Sequence, residues 1–353
     1  MGLFGKPRDL VGLDIGSHSI KLVELKQKGK SYELVSFGIQ PLPPEAIVEG
    51  AIMDSSAVAE AIDTLFVNNN VKKTDVATSV SGGSVIVKKI SLPAMSEDEL
   101  AESIRWEAEQ YIPFPIDEVN LDHKTLRGSA EEGGMMDIIL VAVKKDMIGF
   151  YANVITQAGR RPMVVDVDAF ALQNAFELNY KNEVQPNEVI ALINVGASLI
   201  NMNIVQGEIS LFTRDISTGG NLYTETIQRE LNLSRENAEN LKKGIPAEGT
   251  DPSSASSIIQ GVTEDLAVDV QRTFDFFKAT STEERIDRIF LAGGSARIPG
   301  LQHYFRDKFN ASAELLNPFK NIKLTGNHDP DYLHDVGPIA AVAVGLALRK
   351  VGD

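Results

Sequence analysis

A chain of 353 residues that is 43% hydrophobic and 24% charged has room for two domains with separate cores, and its composition is that of an ordinary globular protein. A formal net charge of −15 argues against nucleic-acid binding, which needs a basic footprint. The lack of cysteine excludes disulfides, thiol catalysis and Cys-ligated zinc, and five scattered His residues without an HxxxH-type pair argue against a His metal site.

Apolar strands are expected first, at about 10–15, 19–26 and 31–38, followed by the Pro-broken crossing PLPPEAIVEGAI. A helix is predicted after Asp54 and Ser55, with Val58, Ala61, Ile62, Leu65 and Phe66 on one face. A strand at 75–80 ends at Gly82-Gly83. The next segment reads as a compact unit: strand VIVKKISL, a helix over 97–110, and strands near 119–127 and 136–143. Ser96 and Glu99 form a capping box, Leu100, Ile104, Ala108 and Tyr111 an apolar stripe, and Pro113 and Pro115 a stop. Trp106 lies off that stripe, which leaves it facing a partner or neighbouring domain, or else in the core. GSAEEGG at 128–134 reads as a hairpin or exposed loop. A helix at 146–158 leads through Arg160-Arg161-Pro162 to the strand MVVDV and the helix AFALQNAF.

A second run of strands occupies 190–217, followed by helices at about 220–231 and 235–243. PAEGTDPSSASS reads as a flexible loop, and 259–279 as a long, Phe-rich amphipathic helix. IDRIFLAGG is a buried strand running into a Gly-Gly turn, and ARIPGLQHYFRDKF opens another helix. The last helix is expected after Asp335, with Pro338 in its first turn. No apolar run reaches the ~18 residues of a membrane span. The start, MGLFGKPRDL, is too short and polar for a signal peptide, and Lys6 breaks the myristoylation pattern, so the chain is expected in the cytoplasm.

Residues 11–38 and 190–217 are copies of one device: apolar strand, tight turn, second strand, Gly turn, third strand. The first turns align as Asp14-Ile15-Gly16-Ser17 and Asn194-Val195-Gly196-Ala197-Ser198. Such a repeat predicts two like-folded halves pinching one ligand. Backbone N–H groups at a Gly turn, with small hydroxyls alongside, suit phosphate oxygens. Lys21 can reach back toward a phosphate held at the first turn. In LAGGSARIPG, residues 291–300, a strand feeding two glycines lets backbone approach a flat ring or a phosphate. The small residues Ala340, Ala341, Ala343, Gly345 and Ala347 permit a close crossing with the helix at 168–176, as at a hinge. Taken singly, each of these is also an ordinary turn or β–α connection.

In this order the segments resemble the actin/chaperone/sugar-kinase ATPase superfamily over nearly the whole chain: first phosphate loop, connecting helix, second phosphate loop, adenosine loop, second connecting helix. That resemblance implies an α/β, actin-like (ribonuclease H-like) duplicated two-lobe fold. GLDIGSHSIKLVEL, LPPEAIVEGAIMD, SLPAMSEDELAESIRWEAEQYIPFPIDEVNLD, VVDVDAFAL and DISTGGNLYTETI are similar to the PilM family of type IV pilus assembly, with cell-division FtsA as the nearest look-alike. The implied division is a first lobe of 1–83, 146–188 and 336–353, and an inserted small α+β domain at 84–145. A second lobe of 189–219 and 284–335 then carries a helical subdomain at 220–283.

The resemblance also implies ATP and Mg²⁺ as cofactors. Asp14 would orient the Mg²⁺ shell, with Asn194 reaching it through water, and Gly16, Ser17 and Lys21 would hold the β- and γ-phosphates. Gly196, Ala197 and Ser198 would close from the other lobe, with Gly219 beside them. Gly293, Gly294 and Ser295 would back the adenosine, Glu239 and Lys242 would contact ribose and adenine, and Asp168 would position an attacking water. Asn194 departs from the usual Asp and brings no charge, which implies at most a slow ATPase. As partners the resemblance implies the N-terminal cytoplasmic peptide of PilN, other pilus assembly platform proteins and assembly ATPases, with the membrane reached only indirectly. The alternatives are an FtsA-like protein and an ATP-dependent sugar kinase; the kinase needs a catalytic Asp in a sugar-binding context that the first half does not show.

Overall fold

The computed structural model describes residues 9–126, 134–247, 249–326 and 328–352; of the loop expected at 128–134 only Gly134 is among them, and residues 1–8 lie outside. The chain opens with an antiparallel meander of β1 (Val11–Ile15), β2 (Ser19–Lys28) and β3 (Ser31–Pro41). The Pro-broken crossing contains a short hairpin, β4 (Ile47–Val48) and β5 (Ala51–Ile52), which the sequence pattern does not announce. Helix α1 (Ser55–Asn68) starts where Asp54 accepts the N–H of Ala57 at 2.9 Å, and it buries the five apolar residues expected of it. β6 (Asp75–Val80) runs parallel to β1.

The inserted unit has three antiparallel strands, β7 (Val85–Pro93), β8 (Val119–Thr125) and β9 (Met135–Lys144), ordered β7-β9-β8. Helix α2 (Glu97–Glu109) covers them, packing Leu100, Ile104 and Ala108 among Ile90, Met136 and Leu140. Its capping box is formed, Ser96 N–H donating to Glu99 at 2.8 Å and Glu99 N–H to Ser96 Oγ at 3.3 Å. Trp106, for which core placement had been one alternative, is 72% exposed. The chain then returns through α3 (Lys145–Gln157), β10 (Arg161–Val167) and α4 (Asp168–Tyr180).

A second meander follows: β11 (Val189–Val195), β12 (Ile200–Gln206) and β13 (Ile209–Ile216). Next come α5 (Gly220–Leu231), α6 (Arg235–Lys242), α7 (Ser256–Thr280) and β14 (Arg288–Ala292). The expected flexible loop is ordered in part, because Asp251 caps a 3-10 turn at 252–255 that feeds straight into α7. The chain ends with α8 (Leu301–Phe309), β15 (Ser312–Leu315), β16 (Ile322–Leu324) and α9 (Pro330–Ala347).

The second sheet has the order β13-β12-β11-β14-β15, and the first repeats it as β3-β2-β1-β6-β10, with β16 added beyond β3. The duplication read from the two turns therefore extends through five strands of each lobe. Because β16 pairs in parallel with β3, the return to the first lobe comes at Ile322 rather than at 336. Helix α9 likewise starts at Pro330, where Asp329 accepts the N–H of Asp331 at 3.0 Å, and Pro338 lies inside it. Proline at the first helical position and an Asp cap form as good a start as Asp335 would.

Two helices cross between the sheets. α4 sets Phe176 and Tyr180 against Phe290 of β14, with ring centroids 5.0 and 4.8 Å apart, while α9 lies on β1 and β2. Each such buried aromatic or aliphatic side chain contributes about 1.5–3 kcal/mol. The lobes thus meet through packed apolar helices below, and through polar turns above.

Candidate functional site

Those polar turns enclose a cleft of about 460 Å³. The pairing that builds them is the same on both sides: Asp14 stands opposite Lys21 in β1–β2, and Asn194 opposite Asn201 in β11–β12. Gly16 N–H donates to Ser19 O at 3.3 Å, and Gly196 N–H to Leu199 O at 2.9 Å, so both turns close identically. Among the described residues, the N–H groups of Ser17, His18, Ala197 and Ser198 donate to no protein atom. Four such donors around one cleft are what an anion with several oxygens requires.

The cleft is lined by Asp14, Gly16, Ser17, Lys21, Asp168, Asn194, Gly196, Ala197, Ser198, Glu239, Lys242, Gly293, Gly294 and Ser295, all of them anticipated from the sequence. Gly219 is the exception. It does not line the cleft but supports the second turn from behind, where a β-carbon would fall 2.7 Å from the carbonyl oxygens of both Gly196 and Ala197. Gly293, with φ of 89°, is pressed against the same turn: a β-carbon there would lie 2.4 Å from Val195 O and 2.6 Å from Asn194 Oδ1. Only glycine fits that backbone and that gap.

Charge is arranged unevenly. Lys21 pairs with Asp14 at 3.2 Å. Asp168, the first residue of α4, accepts the Ser79 hydroxyl at 2.5 Å. Burial, reinforced by Asp14, pushes its carboxyl up to about 7, against the opposing hydrogen bonds of Ser79 and Ser81. Tyr151, whose hydroxyl donates to Gly50 O at 3.0 Å, is also raised, first by burial and then by Asp168 and Asp14. On α6, Lys242 Nζ donates to Glu239 at 2.5 Å, to Thr224 at 2.9 Å and to Gly220 O at 3.3 Å. Burial alone would raise the Glu239 carboxyl, yet Lys242 and Thr224 hold it below its ordinary value. Burial lowers Lys242 despite that pairing. His18 on the first turn is lowered by burial and senses Glu239, Lys242 and Lys243 across the cleft.

Residues missed from the sequence include His18, Ser81, Tyr151, Asn201, Asn221, Lys243, Ile245 and Arg297. Asn201 could have been found, because the repeat that equates Asn194 with Asp14 equates Asn201 with Lys21. Ser81, just past β6, and Tyr151, in the middle of α3, are brought here only by the fold.

The fit to ATP rests on the two donor turns and the glycine-lined floor. The fit to Mg²⁺ is narrower: among the described residues no group of three or more His, Cys, Asp or Glu side chains could hold a metal ion. A cation here would have to be held mainly by phosphates and water, with Asp14 and the Asn194 oxygen at its edge.

A model of the family described as Type IV pilus assembly protein PilM matches residues 12–351. Among solved structures, the chain is similar to one titled PilM-PilN type IV pilus biogenesis complex, at a TM-score of 0.87 and 29% identity, covering 98% of this chain and 100% of that one. The fold also matches MreB 5 of Spiroplasma citri bound to AMPPNP, at a TM-score of 0.52 and 14% identity over 97% of this chain and 95% of that one. Cell division protein FtsA of Bacillus subtilis (strain 168) is 22% identical over 97% of this chain and 86% of its own length.

Proposed function

The chain belongs to the PilM family of type IV pilus assembly proteins and has its actin-like fold, and on that footing we propose that it is a nucleotide-loaded scaffold that recruits a membrane partner by a peptide. The observation that carries the nucleotide half is the pair of turns whose residues Ser17, His18, Ala197 and Ser198 line one cleft with N–H groups that donate to no protein atom. ATP with Mg²⁺, when bound, supplies a polyanion that both lobes can hold at once. Lys21 would balance its charge, and Gly293 and Gly294 would let the nucleoside approach the backbone. Each lobe contributes one turn, so the ligand would fix the angle between them.

Asp168, with a carboxyl titrating at about 7, is suited to orient a water or accept its proton at neutral pH. Asn194 contributes no charge to the cleft, so turnover would be slow. The reading is therefore of a binding protein more than an enzyme.

The peptide half rests on the similarity to the PilM-PilN complex. The N-terminal cytoplasmic peptide of the corresponding PilN would lie where the inserted sheet β7-β9-β8 meets the first lobe. An extended peptide is held best by a groove that already exists, since its ordering costs entropy. No helix among the described residues is long and apolar enough to cross a membrane, so this peptide would provide the attachment to the inner membrane from the cytoplasm.

The test is to identify nucleotide released by heat from the purified protein, and to titrate the PilN peptide calorimetrically with and without Mg²⁺-ATP. Saturable peptide binding is expected. Neither nucleotide nor peptide binding at millimolar ligand would end the reading.

A further inference from the structure

The second turn carries a chain of side-chain hydrogen bonds that leaves its own lobe. Asn194 Nδ2 donates to Asn201 Oδ1 at 2.9 Å, and Asn201 Nδ2 donates to Asp215 Oδ1 at 2.9 Å. Asp215 Oδ2 accepts the backbone N–H of Gly82 at 2.6 Å. Asn194, Asn201 and Asp215 sit side by side on β11, β12 and β13. Gly82 belongs to the other lobe, where it is a buried residue of the turn between β6 and β7 that leads into the inserted domain.

The direction of this chain is set from its far end. Burial raises the Asp215 carboxyl, and the hydrogen bonds from Asn201 and from the Gly82 N–H oppose that rise by favouring the carboxylate. A backbone N–H only donates, and that carboxylate, once ionised, only accepts. Asp215 must therefore receive the Asn201 amide nitrogen, which turns the Asn201 oxygen toward Asn194. Asn194 must answer with its own nitrogen, and its oxygen is left beside Gly293 on the cleft. In the first lobe the equivalent positions hold the ion pair Asp14–Lys21, whereas in the second the negative charge stands one hydrogen bond behind Asn201 and two behind Asn194.

We infer that Asp215 is a positioning residue: pinned to Gly82 of the opposite lobe, it sets the polarity of the amide chain so that Asn194 presents an oxygen, not an NH₂, to a cation-bearing ligand in the cleft. This inference takes its ligand from the nucleotide reading above. It explains why an uncharged residue at 194 is suitable here. Asn194 needs a nitrogen to give to Asn201, and an Asp at that position has none.

Three variants make distinct outcomes. Asn194→Asp sets an acceptor against Asn201; if Asn201 turns to meet it, its oxygen then faces Asp215. Asp215→Asn satisfies every partner by reversing the chain, but turns the Asn194 nitrogen into the cleft. The double variant reverses the chain and again presents oxygen. In nucleotide-free protein, the melting midpoint is expected to fall by about 4 °C or more for Asn194→Asp, and to stay within about 2 °C of the parent for Asp215→Asn and for the double variant. By calorimetry, Asp215→Asn should lose about tenfold in the gain of ATP affinity that Mg²⁺ confers, and the double variant should recover it.

A destabilisation by Asn194→Asp that the second change does not rescue would overturn the chain's assigned polarity. An unaltered Mg²⁺ gain in Asp215→Asn would overturn the positioning role. If the parent binds no nucleotide, the nucleotide reading fails alone, because the melting cycle still decides the polarity.

Discussion

A β-carbon on Gly345 would overlap the carbonyl oxygen of Ala171, where α9 crosses α4. The obstruction is backbone, so no rotamer can relieve it, and the helices would have to separate. Gly12 imposes the same closeness on the other side of α9, where a β-carbon would overlap Ala343 O.

Gly345→Ala is therefore expected to cost about 3 kcal/mol of stability through overpacking, despite the better helix propensity of alanine. Gly149 is the control: it lies in α3, and a β-carbon there meets nothing within 4 Å. Gly149→Ala should stabilise by about 0.5–1 kcal/mol. Urea midpoints check both, and equal effects at the two sites would contradict the crossing.

Gly16→Val tests the first turn. A β-carbon at Gly16 would stand 3.0 Å from Lys21 Nζ and 3.3 Å from Ser19 O, so a valine must displace the lysine from Asp14. We expect a loss of at least tenfold in ATP affinity by calorimetry, with the melting midpoint changed little. Parent-like affinity would remove this turn from the site.

The sequence made the two turns legible because each combines a glycine, a small hydroxyl and flanking apolar strands. It made α2 legible through Ser96, Glu99 and a strict apolar stripe. It did not make β15 or β16 legible, because strands of 4 and 3 residues show no alternation and exist through partners distant in the chain. Asp215 was invisible for a related reason. Its role depends on Gly82, and nothing local to either residue signals the other. Trp106 was open because an off-stripe position does not say what covers it; its exposure in the structure predicts that Trp106→Ala alters stability by less than about 0.5 kcal/mol.

Asp168 predicts a pH dependence. Its carboxyl titrates at about 7 in the folded chain against 3.8 for an ordinary aspartate, so the folded state holds that proton more tightly. The stabilisation is full below 3.8 and is lost as pH rises through about 7. Asp168→Asn stays neutral and can still accept the Ser79 hydroxyl. Its stability relative to the parent should therefore rise between pH 4 and pH 8, by on the order of 4 kcal/mol at most. Denaturant titrations across that range measure the difference; a flat difference would mean that the carboxyl is not perturbed in the nucleotide-free protein.

The Glu239–Lys242 pair joins the floor of the cleft to the packing of α5 on α6. Lys242 is 7% exposed, and its ammonium is the shared donor for Glu239, Thr224 and the Gly220 carbonyl. Lys242→Met keeps the length of the side chain but leaves the Glu239 carboxylate facing Thr224 without its cation. Removing one member of a buried pair costs about 3–5 kcal/mol, and we expect the lower end, since Glu239 keeps some contact with water and with Lys243. Adding Glu239→Gln removes the stranded charge while the amide still accepts from Thr224, so the double variant should be more stable than Lys242→Met alone by about 1–2 kcal/mol. A double-mutant cycle in urea measures this coupling. Strictly additive losses would show that the two side chains act independently, and the α6 face of the cleft would then owe its shape to apolar packing around Ala238 and Leu241 instead.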